Sequence, residues 1–234
     1  MNNKDYSITD RRIELKDVFT TNDLPLIEKS INLSRFSFCK PYPSRKVNSV
    51  YFDDLRFSAL EESIEGNSLR TKKRLRWYGN SLTENNAVLE FKKKLGVHSW
   101  KELYRNNYCI NPIAQKWSEF IVPKSNDNKF QLKKISEIPV TIVTYNRQYY
   151  SSFDRKIRVT IDRNIQTYKQ TNLFKPNFTF YNKYTTIAVL EIKVVAEHSN
   201  LIQELKKDIP FNPRRFSKYC KSLSSEIENS YLNL

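Results

Sequence analysis

The stretch SLRTKKRLRWYG, residues 68–79, constrains the fold more than any other part of this chain. In a strand successive side chains face opposite ways, so Arg70, Lys72, Arg74, Arg76 and Tyr78 line one face and Thr71, Lys73, Leu75 and Trp77 the other. The first face is almost purely cationic. Two like charges about 4 Å apart repel by roughly 4 kcal/mol at an effective dielectric near 20, so a partly enclosed row needs a polyanion or matching carboxylates beside it. A solvated surface run is the plainest account of such a segment, and the rest of the sequence weighs against it.

The chain has 234 residues with 40 Lys and Arg against 25 Asp and Glu, a formal net charge of +15, which implies an acidic partner. Hydrophobic residues make up 39%, with 14 Tyr and 14 Phe, enough for one sizeable core over residues 1–234 and too many for a disordered chain. The start, MNNKDYSITDRRIELK, has no apolar signal segment, and no run approaches the roughly 20 apolar residues of a membrane span. A soluble, cytoplasmic protein is the expectation. Cys39, Cys109 and Cys220 are scattered and lack CxxC spacing, which excludes a disulfide framework and a structural zinc site. His98 and His198 stand in polar turns and read as surface or capping residues. Gly66, Gly79 and Gly96 are the only glycines and form no GxGxxG or GxxxxGK[ST] loop, so any phosphate must be held by Lys and Arg side chains.

Alternation recurs along the chain. Residues 11–19 set Arg12, Glu14 and Lys16 opposite Ile13, Leu15 and Asp17; residues 87–95 set Val88, Glu90, Lys92 and Lys94 opposite Leu89, Phe91 and Lys93. Residues 156–164 oppose Lys156, Arg158, Thr160 and Asp162 to Ile157, Val159 and Ile161, and residues 188–195 oppose Glu191 and Lys193 to Leu190, Ile192 and Val194. Strands 44–54 and 141–150 add Tyr51, Asp53, Arg147 and Tyr149. An antiparallel sheet exposed to water on one side would show this pattern too. Yet ExK recurs in three strands, alongside several arginines, and a closed barrel would gather these groups inside, where they must pair or meet a ligand. The expected fold is α+β, an antiparallel β-barrel with peripheral helices. Those helices are 20–31, 55–66 ending at Gly66, 111–120, and a last one with Asn212 as N-cap and Pro213 at the first position, whose start would favour anions. Residues 121–138 read as an irregular connector.

These motifs in this order, Arg12-x-Glu14-x-Lys16, Tyr51-Phe52-Asp53, the Leu69–Gly79 strand, Leu89-Glu90-Phe91-Lys92, Tyr145-x-Arg147-x-Tyr149-Tyr150, Arg158-Val159-Thr160, Leu190–Lys193 and Arg215–Tyr219, resemble the VTC domain, the polyphosphate polymerase branch of the triphosphate tunnel superfamily. The resemblance spans nearly the whole chain. It implies a tunnel barrel that binds ATP or another nucleoside triphosphate with Mn²⁺ or Mg²⁺ and moves the terminal phosphoryl group onto inorganic polyphosphate. By resemblance Lys16, Arg74, Arg76, Lys92, Arg147 and Arg158 are the phosphate-binding, catalytic set, and Glu191 is catalytic and the metal-binding carboxylate. Arg70, Lys72, Lys193, Arg215, Ser217 and Lys218 are further substrate-binding groups. Arg12 stands where wider members carry the first Glu of ExExK, which favours one metal over two. Fungal relatives add an SPX domain and membrane helices, and without them a membrane-protein partner would supply that coupling.

The chemistry agrees, since phosphoryl transfer asks for alignment and charge stabilisation rather than a protein nucleophile. Two other readings stay open. An inorganic triphosphatase would use the same tunnel, and a non-enzymatic polyphosphate or nucleic-acid binder would use the interleaved aromatic and basic residues. Nucleic acid is the less expected partner, because the aligned glutamates repel a phosphate backbone unless a metal intervenes.

Overall fold

The computed structural model describes residues 12–79, 87–95, 98–111, 114–123 and 137–224. The strands are β1 (Arg12–Thr20), β2 (Arg45–Asp53), β3 (Leu69–Tyr78), β4 (Ala87–Leu95), β5 (His98–Ile110), β6 (Ile121–Pro123), β7 (Ile138–Ser151), β8 (Ile157–Lys169), β9 (Asn182–Tyr184) and β10 (Ile187–Val195). The helices are α1 (Leu24–Leu33), α2 (Ser58–Glu65), the single turn α3 (Trp117–Phe120), α4 (Leu201–Asp208) and α5 (Lys218–Ser222). No helix among the described residues is long and apolar enough to cross a membrane.

All ten strands join one antiparallel sheet in the order β1-β10-β8-β7-β2-β3-β4-β5-β6, with β9 added beside β8. Register keeps the charged positions on one face: Lys16 stands opposite Glu191, Lys193 opposite Arg158, Arg147 opposite Asp162, and Arg74 opposite Glu90. The sheet curls toward that face. Glu14 of β1 comes within 3.6 Å of Lys92 of β4 although five strands separate them in the sheet. Register shifts at Tyr51/Phe52, Ala87/Leu89 and Thr144/Asn146 mark the irregularities that increase bending.

The curl stops short of closure, which corrects the expectation of a closed barrel: among the described residues β1 and β6 do not pair with each other. The β1 edge is occupied instead. The Arg214 amide donates to the Lys16 carbonyl (2.8 Å), and the Asn212 amide donates to the buried Asp17 carboxylate (2.8 Å). This docking also corrects the last helix. Residues 211–217 are non-helical and α5 begins only at Lys218, with the Ser217 hydroxyl accepting from the Cys220 amide (3.3 Å) as the cap. An anion site at a helix start near Pro213 is therefore absent.

Apolar packing covers the convex side. Ile157, Ile161, Leu190 and Ile192 pack with Ile27 and Ile31 of α1 and Leu205 of α4, while Leu75, Trp77 and Leu89 pack with Phe120 and Phe178. A third cluster lies on the concave side, where Val47, Val143, Tyr145 and Val189 meet Leu60 of α2, Tyr219 of α5 and Leu223 just after it. The Asp53 carboxylate holds that roof in place, accepting from the Ala59 and Leu60 amides (3.0 and 3.1 Å) and from the Tyr219 hydroxyl. Gly66 ends α2 at φ +82°, and a Cβ there would collide with the Arg215 guanidinium.

Two further differences have local causes. Among the described residues of the expected 111–120 helix only Trp117–Phe120 is helical, residues 112–113 lying outside the described residues, and Ile121–Pro123 of the expected connector pairs with β5, its residues 124–136 also lying outside them. Replacing Asp17 with Ala leaves the Asn212 and Val18 amides without their acceptor. The expected cost is about 1–3 kcal/mol, read as a lower urea midpoint with unchanged slope. An unchanged midpoint would show that other contacts hold residues 212–214 on β1.

Candidate functional site

Two carboxylates organise the concave face. Glu90 accepts from Arg74 Nε and Nη2 at 2.8 and 2.6 Å through Oε2, while its Oε1 lies 3.3 Å from Arg76 Nη1. Asp162, fully buried, accepts from Arg147 Nε and Nη2 at 2.6 and 2.7 Å and pairs with Lys218 Nζ at 2.6 Å. Each acid thus holds two cations at fixed positions. Burial alone would push the Glu90 carboxyl up, but Arg74 and Arg76 outweigh it and hold it well below the usual carboxylate range.

A looser group lies beside them. Glu191 Oε1 is 2.7 Å from Lys193 Nζ and its Oε2 3.6 Å from Arg147 Nη2. Glu14 Oε1 is 2.8 Å from Lys16 Nζ, and its Oε2 is 3.6 Å from Lys92 and 3.7 Å from Lys193. Against the rise that burial would cause, Lys193, Lys16 and Arg147 hold Glu191 far down. Glu14 falls to about 2, because Lys16, Lys92 and Lys193 outweigh burial and the repulsion of Glu191. Lys16 is raised, Glu191 and Glu14 overcoming its burial.

Burial pushes Lys92, Lys72 and Lys218 down, neighbouring cations adding to it in each case. Lys101 of β5 is the extreme: burial, then Arg74 and Lys193, lower it to about 7, and it forms no ion pair among the described residues. Arg76 Nε, Ser49 Oγ and Thr160 Oγ1 are buried on the same face without hydrogen-bond partners. Such a surface has the charge and the open hydrogen-bonding positions that an oxygen-rich anion could fill.

The structure thus brings the expected site residues to one face in two groups: Arg74 and Arg76 on Glu90, and Lys16, Lys92, Lys193, Glu191, Arg147 and Lys218 linked through Glu14 and Asp162. Lys72 reaches the same region from below α5, its Nζ 3.3 Å from Ser217 Oγ and 5.4 Å from the Tyr219 ring centre. Arg158 shares the face, opposite Lys193, but is exposed. Arg70 stands further along β3, donating to the Asn67 carbonyl (3.0 Å). Ser217 is the α5 cap, and Arg215 is exposed with its guanidinium against Gly66. Lys101, Asp162 and Tyr51, whose hydroxyl accepts from Arg74 Nη1 at 3.1 Å, are site residues that alternation alone gave no role. At one end of β3, Arg45 sits 4.8 Å from the Tyr78 ring, 5.0 Å from Tyr149 and 5.2 Å from Tyr42.

No group of three or more His, Cys, Asp or Glu side chains gathers among the described residues, so a dedicated metal cage is absent there. The two nearest carboxylates, Glu14 and Glu191, share Lys193. One or two carboxylates fit a hard cation that takes its other ligands from substrate phosphates and water.

The family model of the VTC domain matches residues 11–227. The chain belongs to the VTC domain family. The VTC fold here is similar to a crystal structure of a candidate adenylate cyclase from Bacillus halodurans, at 12% identity and TM-score 0.51, covering 88% of this chain and 93% of that one. A Pyrococcus horikoshii protein aligns over 91% of this chain and 99% of its own at 13% identity and TM-score 0.49. The DNA-directed RNA polymerase subunit beta of Carsonella ruddii is 26% identical over 195 residues, of which this VTC chain spans 82% of its own length but 15% of that protein.

Lys101 carries a testable conflict between stability and ligand. Its pKa is depressed, so the folded state carries the full penalty below pH 7 and loses it as pH rises toward the unfolded value of 10.5. Lys101→Met is expected to stabilise the unliganded protein by about 1–2 kcal/mol at pH 6, with the gain fading by pH 10, and to weaken tripolyphosphate binding. Thermal melts across pH, with calorimetric titration, check both; a destabilised variant at pH 6 would contradict the electrostatic account.

Proposed function

We propose that the concave face is the catalytic site of a polyphosphate polymerase that transfers the terminal phosphoryl group of ATP to a growing polyphosphate chain. The observation that carries this is the length of the cationic track. Arg70, Lys72, Arg74 and Arg76 alternate along β3 beside Lys92 and Lys94 of β4, a run of about 20 Å at roughly 3.3 Å per residue, of which one triphosphate occupies only part. The membership of the VTC domain family supports the same reading.

The residues divide the work by their geometry. Arg74, Arg76 and Arg147, held in place by Glu90 and Asp162, offer their remaining N–H groups to phosphate oxygens, and Lys16, Lys92 and Lys101 follow them as mobile point charges. A terminal oxygen of the acceptor chain attacks the γ-phosphorus, the bond from that phosphorus to the β,γ-bridging oxygen breaks, and ADP leaves. Charge on the transferring oxygens meets cations already in position, which is the main requirement of this reaction. Glu191, with Glu14 beside it, is the group to hold Mn²⁺ or Mg²⁺ together with substrate oxygens, and the ion would supply further neutralisation of phosphate charge. Tyr78, Tyr149 and Arg45 offer flat faces for the nucleoside at the track's end. Arg214 pairs with Asp17 at 3.1 Å, and Arg215, exposed near Gly66, is the basic group beside the start of α5 that would meet the product.

Tripolyphosphate at 100 times its dissociation constant adds about 2.7 kcal/mol, a melting rise of roughly 5–10 °C at this chain length. Glu191→Gln is expected to keep that rise while losing metal-dependent turnover; normal turnover would move the metal to another carboxylate.

With ATP, Mn²⁺ and a short polyphosphate primer the protein is expected to produce a ladder on a gel stained for polyphosphate, and Arg70→Ser with Lys94→Ser to shorten it. Stoichiometric free phosphate without a ladder would identify a triphosphatase instead.

A further inference from the structure

Two neighbouring strands of the concave face place unused hydrogen-bonding groups side by side. Ser49 of β2 and Arg76 of β3 are register partners, 1% and 8% exposed, and the Ser49 hydroxyl and Arg76 Nε are both buried without a hydrogen-bond partner. Two residues along, Tyr51 faces Arg74 in the same register and is 7% exposed. Its hydroxyl accepts from Arg74 Nη1 at 3.1 Å, which uses a lone pair and leaves the proton without an acceptor among the described residues. The Tyr51 ring is held in this position, because Tyr219 stacks on it with 5.1 Å between ring centres and is itself bonded to Asp53.

The surrounding side chains supply no partner. Ser49 is flanked on its own strand and face by Val47 and Tyr51, and it stands opposite Val143 of β7. Glu90, the carboxylate between Arg74 and Arg76, is already bonded to Arg74 Nε and Nη2 and paired with Arg76 Nη1. Burial alone would raise the Tyr51 pKa, but Arg74, Arg76 and Lys218 outweigh it and bring it below the ordinary tyrosine value. The hydroxyl therefore lies among cations, toward which its proton cannot usefully point. Buried donors without acceptors destabilise a fold, so several in one patch mark a place for an acceptor that comes from outside. An oxygen-rich group without a proton of its own, such as a phosphoryl group inside a polyphosphate chain, can accept from all of them. Hydroxyls also add donors beside two guanidinium groups without adding charge to a row that already repels itself.

We propose that Ser49 and Tyr51 of β2, with Arg76 Nε, form a phosphoryl subsite in which the two neutral hydroxyls donate to oxygens of a phosphate group held beside Arg74 and Arg76. The inference rests on the reading that the concave face binds a phosphate chain, and it holds whether that chain is extended or cleaved.

The test is calorimetric titration of the full chain with tripolyphosphate over a series of salt concentrations, together with thermal melts of the unliganded protein. Ser49→Ala and Tyr51→Phe each remove one oxygen and no charge. Each is expected to weaken binding by about tenfold or more, the usual size of a hydrogen bond to a charged group, while affinity falls with salt as steeply as in the parent. Lys92→Ala, which removes a charge, should flatten that dependence. Without ligand, Ser49→Ala should melt no lower than the parent, because it deletes a hydroxyl that bonds to nothing in the fold. Parent-like affinity in either variant, with the parent binding, would overturn the subsite and leave the anion-binding face standing. Weaker binding with a flattened salt dependence would also overturn it, by showing that the hydroxyls only hold Arg74 and Arg76 in place. A parent that takes up no tripolyphosphate would remove the binding face and the subsite together.

Discussion

Enclosing guanidinium and ammonium groups side by side is the constraint on which the rest of this structure depends. Glu90 and Asp162 meet it by each serving two cations, Arg74 with Arg76 and Arg147 with Lys218. Removing one partner from such a buried arrangement costs about 3–5 kcal/mol, because the survivors stay charged and dry. The apolar convex face supplies the stability against which this cost is set: Ile157, Ile161, Leu190 and Ile192 are the alternate residues of the very strands that carry Arg158, Asp162, Glu191 and Lys193. One strand therefore both stabilises the fold and presents the charges that strain it.

Much of this was legible because alternation is a local property. The charged and oily faces of β1, β3, β4, β8 and β10 follow from parity alone, and the register confirms which residues face one another. β5 escaped because Leu103 falls on the face of Lys101 and Glu90, breaking the contrast between faces. Lys101 was lost with it.

Features set by distant contacts were not legible. Residues 212–217 carry every local sign of a helix start, Asn-Pro followed by basic residues, yet the backbone of Arg214 is committed to the β1 edge. Closure was the other failure. Parity states which way side chains point but not how far a sheet curls, and that depends on register shifts and on what occupies the edge strand.

The docking of residues 212–214 on β1 also bears on how the molecule is made. β1 lies far in sequence from its sheet partner β10 and from its edge cover, and Lys218, the second partner of Asp162, follows both. Such separations are costly in loop closure and slow to form. Until those distant segments dock, Lys16 lacks the Glu191 that faces it across the sheet. The concave face is therefore completed by pairings between segments far apart in the sequence, late in folding rather than early.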